Sequence, residues 1–247
     1  MGVFSKVSML TSSQPLKEVF FCPEESDFYS HCLETLVLKK CLNSESIVEF
    51  GSGDGSPVIK SLLRAEEFDG TIHGFEINTL AYQAANSKIK EHKVSDKYIV
   101  HNCCLLNSAK RRATYLISNP PYLPASDNKL YQPLLHGGRE GITVTKKLLS
   151  LNYQNVLVLV SSYSNPEGLI NDAIAKDYYV SDFMVSPIQF GYYSSEPKVR
   201  DRIRELRKCK KAFYSESIYL LAGVLFTKEP AATGDLSTEL VKLMTSL

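Results

Sequence analysis

The stretch Ser46-Ile-Val-Glu-Phe-Gly-Ser-Gly-Asp-Gly55 decides the fold of this chain, because a short apolar run passes directly into a cluster of glycines. Residues 46–50 are typical of a buried β-strand, and residues 57–65 have the pattern of a helix. Glycines between a strand and a helix let the backbone approach a ligand closely, with amide N–H groups directed at it. Sites for dinucleotides and for S-adenosylmethionine share this arrangement, but Ser56 breaks the G-x-G-x-x-G spacing that is typical of dinucleotide sites.

The same alternation of strand and helix patterns continues along the chain. Further strands are predicted at residues 71–75, 98–100, 114–117, 156–160, 180–190 and 217–226, and helices at residues 24–41, 78–90, 142–151 and 166–175. This alternation favours parallel strands with helices on both faces of the sheet. We therefore expect a doubly wound α/β sheet, with its ligand site beyond the carboxyl ends of the strands.

Glycines and polar residues follow several of these predicted strands and should meet at that edge. The set comprises Glu49, Gly51, Gly53, Gly55, Glu76, Asn102 and residues 119–122. Glu76 follows the second strand, where a carboxylate can accept hydrogen bonds from both hydroxyls of a ribose. The alternative for Glu76 is a surface position at a helix start, where the helix dipole favours an acidic residue. The glycine cluster upstream favours the ribose contact.

The motif Asn119-Pro-Pro-Tyr122 directly follows the predicted fourth strand. Its two prolines have no backbone N–H, so the turn is stiff and poor in donors. The Asn119 side-chain carbonyl and the Pro120 backbone carbonyl are acceptors that match an –NH₂ group, and Tyr122 can stack on a planar group. A proline-rich turn that only ends the strand is the alternative. We favour a catalytic role for Asn119, Pro120 and Tyr122.

At these motifs the chain resembles the amino-methyltransferases, and most of all the HemK/PrmC group. Asn119-Pro-Pro-Tyr122 with an upstream glycine cluster is similar to the signature of that family. Two further stretches support the resemblance, Val19-Phe-Phe-Cys-Pro-Glu-Glu-Ser-Asp27 before the first helix and Gly137-Gly-Arg-Glu-Gly141 after the motif. The resemblance covers roughly residues 18–190 and 217–228.

The resemblance implies a Rossmann-like methyltransferase sheet of seven strands, mostly parallel, with an antiparallel last strand. It implies S-adenosyl-L-methionine as the cofactor and no metal. The implied cofactor contacts are Gly51, Gly53 and Gly55 beside the methionine part, Glu49 helping to orient it, and Glu76 on the ribose. Asn119 and Pro120 are implied to hold the target nitrogen, with Tyr122 beside it.

The chain departs from the family pattern in three places. Where the family has an acidic residue after the third strand, this chain has His101-Asn-Cys-Cys104, and we assign Asn102 to the adenine of the cofactor. The bacterial members carry an N-terminal helical substrate domain, which a lead of about twenty residues cannot supply. Residues 191–216 are longer than the usual family turn.

The resemblance implies transfer of a methyl group to an amide or amine nitrogen, on a protein glutamine or a small polar substrate. One alternative is cyclisation of the methionine part of the cofactor, with release of methylthioadenosine. The other alternative is methylation of adenine N6 in nucleic acid, with phosphate contacts from the basic run at 198–211. The same run could form a lid that binds an acidic substrate, or a solvated helix face.

Composition narrows the class of protein further. The net charge of +1 creates no global field for nucleic acid or membranes. The six cysteines form no C-x-x-C pair, so we expect neither a zinc site nor a disulfide framework, and mostly buried thiols. No uncharged run reaches the ~18 residues of a membrane span, and we expect a cytoplasmic location. We divide the chain into a lead (1–20), a methyltransferase domain (21–228) with a lid-like insertion (191–216), and a tail (229–247).

Overall fold

The computed structural model describes residues 19–41, 45–108, 112–229 and 234–247. Most of the predicted lead, residues 1–18, lies outside these ranges. Seven strands form one sheet in the order β3-β2-β1-β4-β5-β7-β6. The strands are β1 Ser46–Phe50, β2 Thr71–Phe75, β3 Tyr98–His101, β4 Tyr115–Ser118, β5 Asn155–Ser161, β6 Tyr179–Gln189 and β7 Ile218–Thr227.

The strand directions confirm the predicted mostly parallel sheet with an antiparallel last strand. β1 pairs in parallel with β2 and β4, β2 with β3, and β4 with β5. β7 inserts between β5 and β6 and is antiparallel to both. β6 therefore runs in the same direction as β5, and the chain that follows β6 emerges at the carboxyl edge of the parallel strands.

Helices cover both faces of the sheet. They are α1 Pro23–Leu33, α2 Ser56–Arg64, α3 Thr79–Glu91, α4 Thr143–Leu149, α5 Pro166–Ile174, α6 Pro197–Lys208 and α7 Ser237–Met244. Buried side chains of α1, α2, α3 and α6 belong to one hydrophobic cluster, and those of α4, α5 and α7 belong to another. β5 contributes alternate residues to the two clusters, as the period of a β-strand requires. The sheet is therefore buried between two apolar layers.

Local sequence signals account for the start of two helices. The Asn78 side chain accepts hydrogen bonds from the backbone N–H groups of Leu80 and Ala81, so it caps α3 as predicted. At the start of α2, Gly55 has a φ of 73°, a left-handed conformation that glycine adopts without strain. Gly51 and Gly53 also have positive φ, so the turn after β1 depends on three glycines.

The remaining differences from the sequence predictions are small, apart from the cysteines. The predicted helix over 24–41 is α1 followed by a π-helical segment, Glu34–Leu38. Within the predicted tail, α7 packs on α5 and β6, and its Leu240 and Met244 are fully buried. The prediction of mostly buried thiols is wrong, since only Cys32 is buried and Cys103 and Cys209 are exposed. A cysteine side chain is small enough to lie at the surface, so it is buried only where apolar neighbours cover it.

The contact between α1 and β7 is tight and gives a test of this packing. A Cβ atom added at Gly223 would lie 2.3 Å from Sγ and 2.8 Å from Cβ of Cys32. We expect Gly223→Ala to lower the free energy of unfolding by about 1–3 kcal/mol, because overpacking a dense core forces strain. Denaturant unfolding measures the change.

The double variant Cys32→Ala with Gly223→Ala should lose less stability than the sum of the two single variants, because removal of Sγ relieves the shorter contact. A Gly223→Ala protein that is as stable as the original would contradict the described contact between α1 and β7.

Candidate active site

A cavity of about 370 Å³ opens at the carboxyl edge of the parallel strands, a size within the range of small-molecule sites. Its wall combines residues that follow β1, β2 and β4 with the start of α1 and the segment after β6. Six of the nine predicted site residues line it, namely Gly51, Gly53, Glu76, Asn119, Pro120 and Tyr122. Parallel pairing brings these residues together although up to about 70 positions separate them in sequence.

The other three predicted residues, Glu49, Gly55 and Asn102, do not line the cavity. Glu49 is 1% exposed and accepts a hydrogen bond of 2.5 Å from the Tyr98 hydroxyl. Burial raises the pKa of Glu49 to about 7, although the bond from Tyr98 acts in the opposite direction. Glu49 therefore joins β1 to β3 beneath the glycine turn.

Gly55 and Asn102 shape the backbone around the cavity. A Cβ atom added at Gly55 would lie 3.3 Å from both Ala85 and Tyr98, so the turn packs closely on α3. The Asn102 side chain donates to the backbone carbonyl of Glu76 at 2.9 Å and thereby holds the end of β2. The assignment of these two residues and Glu49 to cofactor binding stays a prediction.

The Glu76 carboxylate is fixed by the turns around it. One oxygen accepts from the backbone N–H of Gly53 at 2.8 Å, and the other accepts from that of Asn78 at 2.7 Å. Burial is the main cause that raises the pKa of Glu76, and these two backbone donors lower it. The backbone N–H of Ile77 also acts on Glu76, and because a carboxylate has about four acceptor positions, at least one remains for a hydroxyl group of a ligand.

The Asn119 side-chain oxygen is buried and has no hydrogen-bond partner among the described residues. The Tyr122 hydroxyl is also buried and forms no hydrogen bond of normal geometry, although it lies near enough to Glu25 to lower the pKa of that carboxyl. The base of the motif is fixed, since the Ser118 hydroxyl donates to the backbone carbonyl of Phe50 at 2.8 Å and links β4 to β1. A buried acceptor without a partner costs about 1–3 kcal/mol, which a ligand N–H can offset.

The glycines of Gly137-Gly-Arg-Glu-Gly141 pack against this motif. A Cβ atom at Gly137 would lie 2.6 Å from Cα of Tyr122, and one at Gly141 would lie 2.5 Å from the Tyr122 carbonyl. The same carbonyl accepts from the Ser164 hydroxyl at 2.8 Å. The stretch supports the Asn119-Pro-Pro-Tyr122 corner from behind, which explains why glycine is needed there.

Sequence reasoning missed Glu25, a buried carboxylate in the first turn of α1 that lines the cavity. The Tyr219 hydroxyl of β7 donates to it at 2.9 Å. Burial raises the pKa of Glu25, whereas Tyr122, Tyr219 and Asn119 act to lower it. The sequence Cys22-Pro-Glu-Glu25 showed only an ordinary helix start, because acidic residues are common in the first turn.

The segment after β6 forms one side of the cavity. Gly191, Tyr192, Tyr193 and Ser194 line it. The Tyr193 ring lies 5.4 Å from that of Phe20, and the Tyr192 ring lies 5.4 Å from that of Tyr131. Residues 191–194 therefore overhang the cavity, and the role of 191–216 as a lid stays a prediction.

The basic run on and after α6 does not line the cavity. Four of its cations form ion pairs, namely Lys198 with Asp127, Arg202 with Glu205, Arg204 with Asp201 and Lys211 with Glu140. Arg200 stacks on Phe190, with its guanidinium carbon 3.9 Å from the ring centroid. Ion pairs account for four of these side chains without a bound acidic substrate, whereas Nη1 of Arg200 is buried and has no hydrogen-bond partner among the described residues.

Within the described ranges, no group of three or more His, Cys, Asp or Glu side chains could hold a metal ion. No described helix has the length and apolar character needed to span a bilayer.

Comparison with known proteins identifies the family. Residues 16–150, more than half of the chain, match the family described as methyltransferase small domain. No curated protein sequence matches the chain.

Solved structures share the fold at low sequence identity. The complex of aTrm5 with tRNALeu is 14% identical over 86% of this chain and 48% of that chain, with a TM-score of 0.52. Geranyl diphosphate methyltransferase in complex with GPP and sinefungin is 8% identical over 83% and 77%, with a TM-score of 0.50. TYW2 of M. jannaschii in complex with AdoMet is 13% identical over 85% and 79%, with a TM-score of 0.48. With the family match and the Rossmann-like sheet, the chain belongs to the methyltransferase small domain family and is an S-adenosylmethionine-dependent methyltransferase.

Proposed function

We propose that the enzyme transfers a methyl group to an amide or amine nitrogen of a small polar substrate or a glutamine-type side chain. The observation that carries this proposal is the Asn119 oxygen, which is buried without a partner in the cavity that Gly51, Gly53 and Glu76 also line. A nitrogen with N–H groups is the substrate atom that satisfies such an acceptor. The resemblance to the HemK/PrmC group supports the same chemistry.

The cofactor would lie along the edge formed by β1, β2 and β3. Gly51 and Gly53 would border its methionine part, since no side chain obstructs the turn there. Glu76 would accept from the ribose hydroxyls through its remaining lone pairs. Glu49 and Gly55 would maintain the shape of the glycine turn. Asn102 would maintain the shape of the site beside the adenine.

Bound S-adenosylmethionine supplies an electrophilic methyl group on a positively charged sulfur. The enzyme's part is to orient the nitrogen and to stabilise the charge that develops on it. The Asn119 oxygen and the Pro120 carbonyl would accept its N–H groups, and these bonds strengthen as positive charge grows on nitrogen. Pro120 and Pro121 offer no competing donor, because neither has a backbone N–H.

We expect Asn119→Ala to lower turnover about 100- to 1,000-fold, the usual effect of removing one transition-state hydrogen bond. Affinity for S-adenosylhomocysteine should stay within a few-fold, because Asn119 would hold the acceptor rather than the cofactor. Asn86→Ala is the matched control, since Asn86 bonds within α3 to the Tyr82 carbonyl and does not line the cavity.

Turnover is measured by mass spectrometry of labelled products after isotope-labelled cofactor is added to enzyme and cell extract. Parallel loss of turnover and cofactor affinity would assign Asn119 to binding or folding instead. If the enzyme and the cofactor alone release methylthioadenosine, the reaction is cyclisation of the cofactor's methionine part and not methyl transfer.

We expect Glu76→Gln to weaken binding of S-adenosylhomocysteine about 10- to 100-fold, because charge-assisted hydrogen bonds to a carboxylate contribute about 1.5–3 kcal/mol. Calorimetric titration measures the affinity. Glu91→Gln, at the exposed end of α3, is the control. Unchanged affinity of Glu76→Gln would rule out the ribose contact.

A further inference from the structure

All the charged side chains that line the cavity in the described part of the chain are acidic. The charged side chains that line it are the carboxylates Glu24, Glu25 and Glu76, and no described lysine, arginine or histidine lines it. Carboxylates in a concave, partly apolar site raise the local concentration of cations and disfavour anions. A phosphate or carboxylate group of a substrate would therefore find no counter-charge in this wall.

Glu25 lines the cavity, and none of the described ion pairs includes it. It is 9% exposed and takes a hydrogen bond from the neutral Tyr219 hydroxyl, and the neutral side chains of Tyr122 and Asn119 also act on it. The basic residue near this region, Arg200, stacks on Phe190 and does not line the cavity. Burying a carboxylate without a counter-charge is unfavourable, and a bound cation offsets this penalty.

Polar oxygens beside Glu25 are incompletely satisfied, although Tyr122 and Asn119 act on the Glu25 carboxyl. The Asn119 oxygen and the hydroxyls of Tyr122 and Tyr163 are buried in the same wall and form no hydrogen bond of normal geometry. All three oxygens can accept from N–H groups. A ligand ammonium with three N–H groups can bond to Glu25 and to two of these oxygens.

The outer wall is apolar and largely aromatic. Phe21, Ile77, Leu134 and Tyr192 line the cavity with 44–57% of their surface exposed, although large apolar side chains are usually covered. Aromatic faces bind apolar or planar groups and also attract cations. This wall suits the body of a small substrate rather than a second charged group.

We propose that the methyl acceptor is a small amine that is cationic when free, carried on an apolar or aromatic body and lacking phosphate or carboxylate groups, with Glu25 as its counter-charge. This inference rests on the proposed N-methyl transfer and specifies its substrate class. Glu25 would accept one proton from the ammonium group, which leaves a neutral amine and a protonated carboxyl. The nitrogen lone pair then forms the N–C bond, the C–S bonding pair passes to sulfur, and the product is a methylammonium ion.

Three fragments of one shape test the charge preference: benzylamine, benzyl alcohol and benzoate. Each is titrated calorimetrically into native enzyme saturated with S-adenosylhomocysteine, at neutral pH. We expect benzylamine to bind at least about 10-fold more tightly than benzyl alcohol, and benzoate to bind most weakly, because a charge-assisted hydrogen bond contributes about 1.5–3 kcal/mol. Glu25→Gln should reduce the preference for benzylamine over benzyl alcohol to less than a few-fold.

Glu66→Gln removes an exposed carboxylate away from the cavity and is the matched control. The inference is overturned if benzoate binds as tightly as benzylamine, or if benzylamine does not bind at millimolar concentration. It is also overturned if a folded Glu25→Gln protein keeps the preference. Should that variant fail to fold, the preference of the native enzyme decides.

The cofactor's own sulfonium is the competing cation. Glu25→Gln could weaken the binding of S-adenosylmethionine relative to that of S-adenosylhomocysteine and leave the affinity for benzylamine unchanged. In that case Glu25 binds the cofactor's sulfonium, and the inference fails. Failure of the proposed function is seen separately, as absence of S-adenosylhomocysteine binding or as methylthioadenosine release. The two failures are therefore distinguishable.

Discussion

Parallel pairing of β1 with β4 is the constraint on which the rest of the site depends. The two strands lie side by side and end at the same edge, and the Ser118 hydroxyl joins them through the Phe50 carbonyl. The glycine turn after β1 and the Asn119 corner after β4 therefore lie in one cavity wall. The support behind the corner, from Gly137 and Gly141, keeps a donor-poor backbone in place.

The site concentrates buried acidic groups that a fold without ligands would avoid. Glu25, Glu49 and Glu76 are buried, and burial raises the pKa of each. Glu49 and Glu76 are stabilised by hydrogen bonds from Tyr98 and from backbone N–H groups. The groups around Glu25 are the side chains of Tyr219, Tyr122 and Asn119, and Glu25 and Glu76 line the cavity whereas Glu49 does not. This position separates a structural carboxylate from two that are available to a ligand.

Much of the fold and half of the site follow from local sequence. The three glycines need positive φ, Asn78 has the capping side chain, and the apolar strands alternate with helices, so these features could be predicted. The corner at Asn119 was recognisable because two consecutive prolines remove the backbone donors directly after a predicted strand, and because the motif resembles a family signature.

The rest depends on contacts between distant segments. Glu24 and Glu25 are equivalent in sequence, and only the packing of α1 beside β7 turns Glu25 inward. The direction of Asn102 depends on the end of β2, and the pairing of the basic run depends on acids such as Asp127 and Glu140. The exposure of Cys103 and Cys209 likewise reflects neighbours that no local pattern specifies.

The most direct measurement is a crystal structure of the enzyme with S-adenosylhomocysteine bound. We predict that the ribose hydroxyls contact Glu76 and that the sulfur faces Asn119, with room for one methyl group and one nitrogen between them. A cofactor whose sulfur faces another wall, or a ribose away from Glu76, would contradict the account.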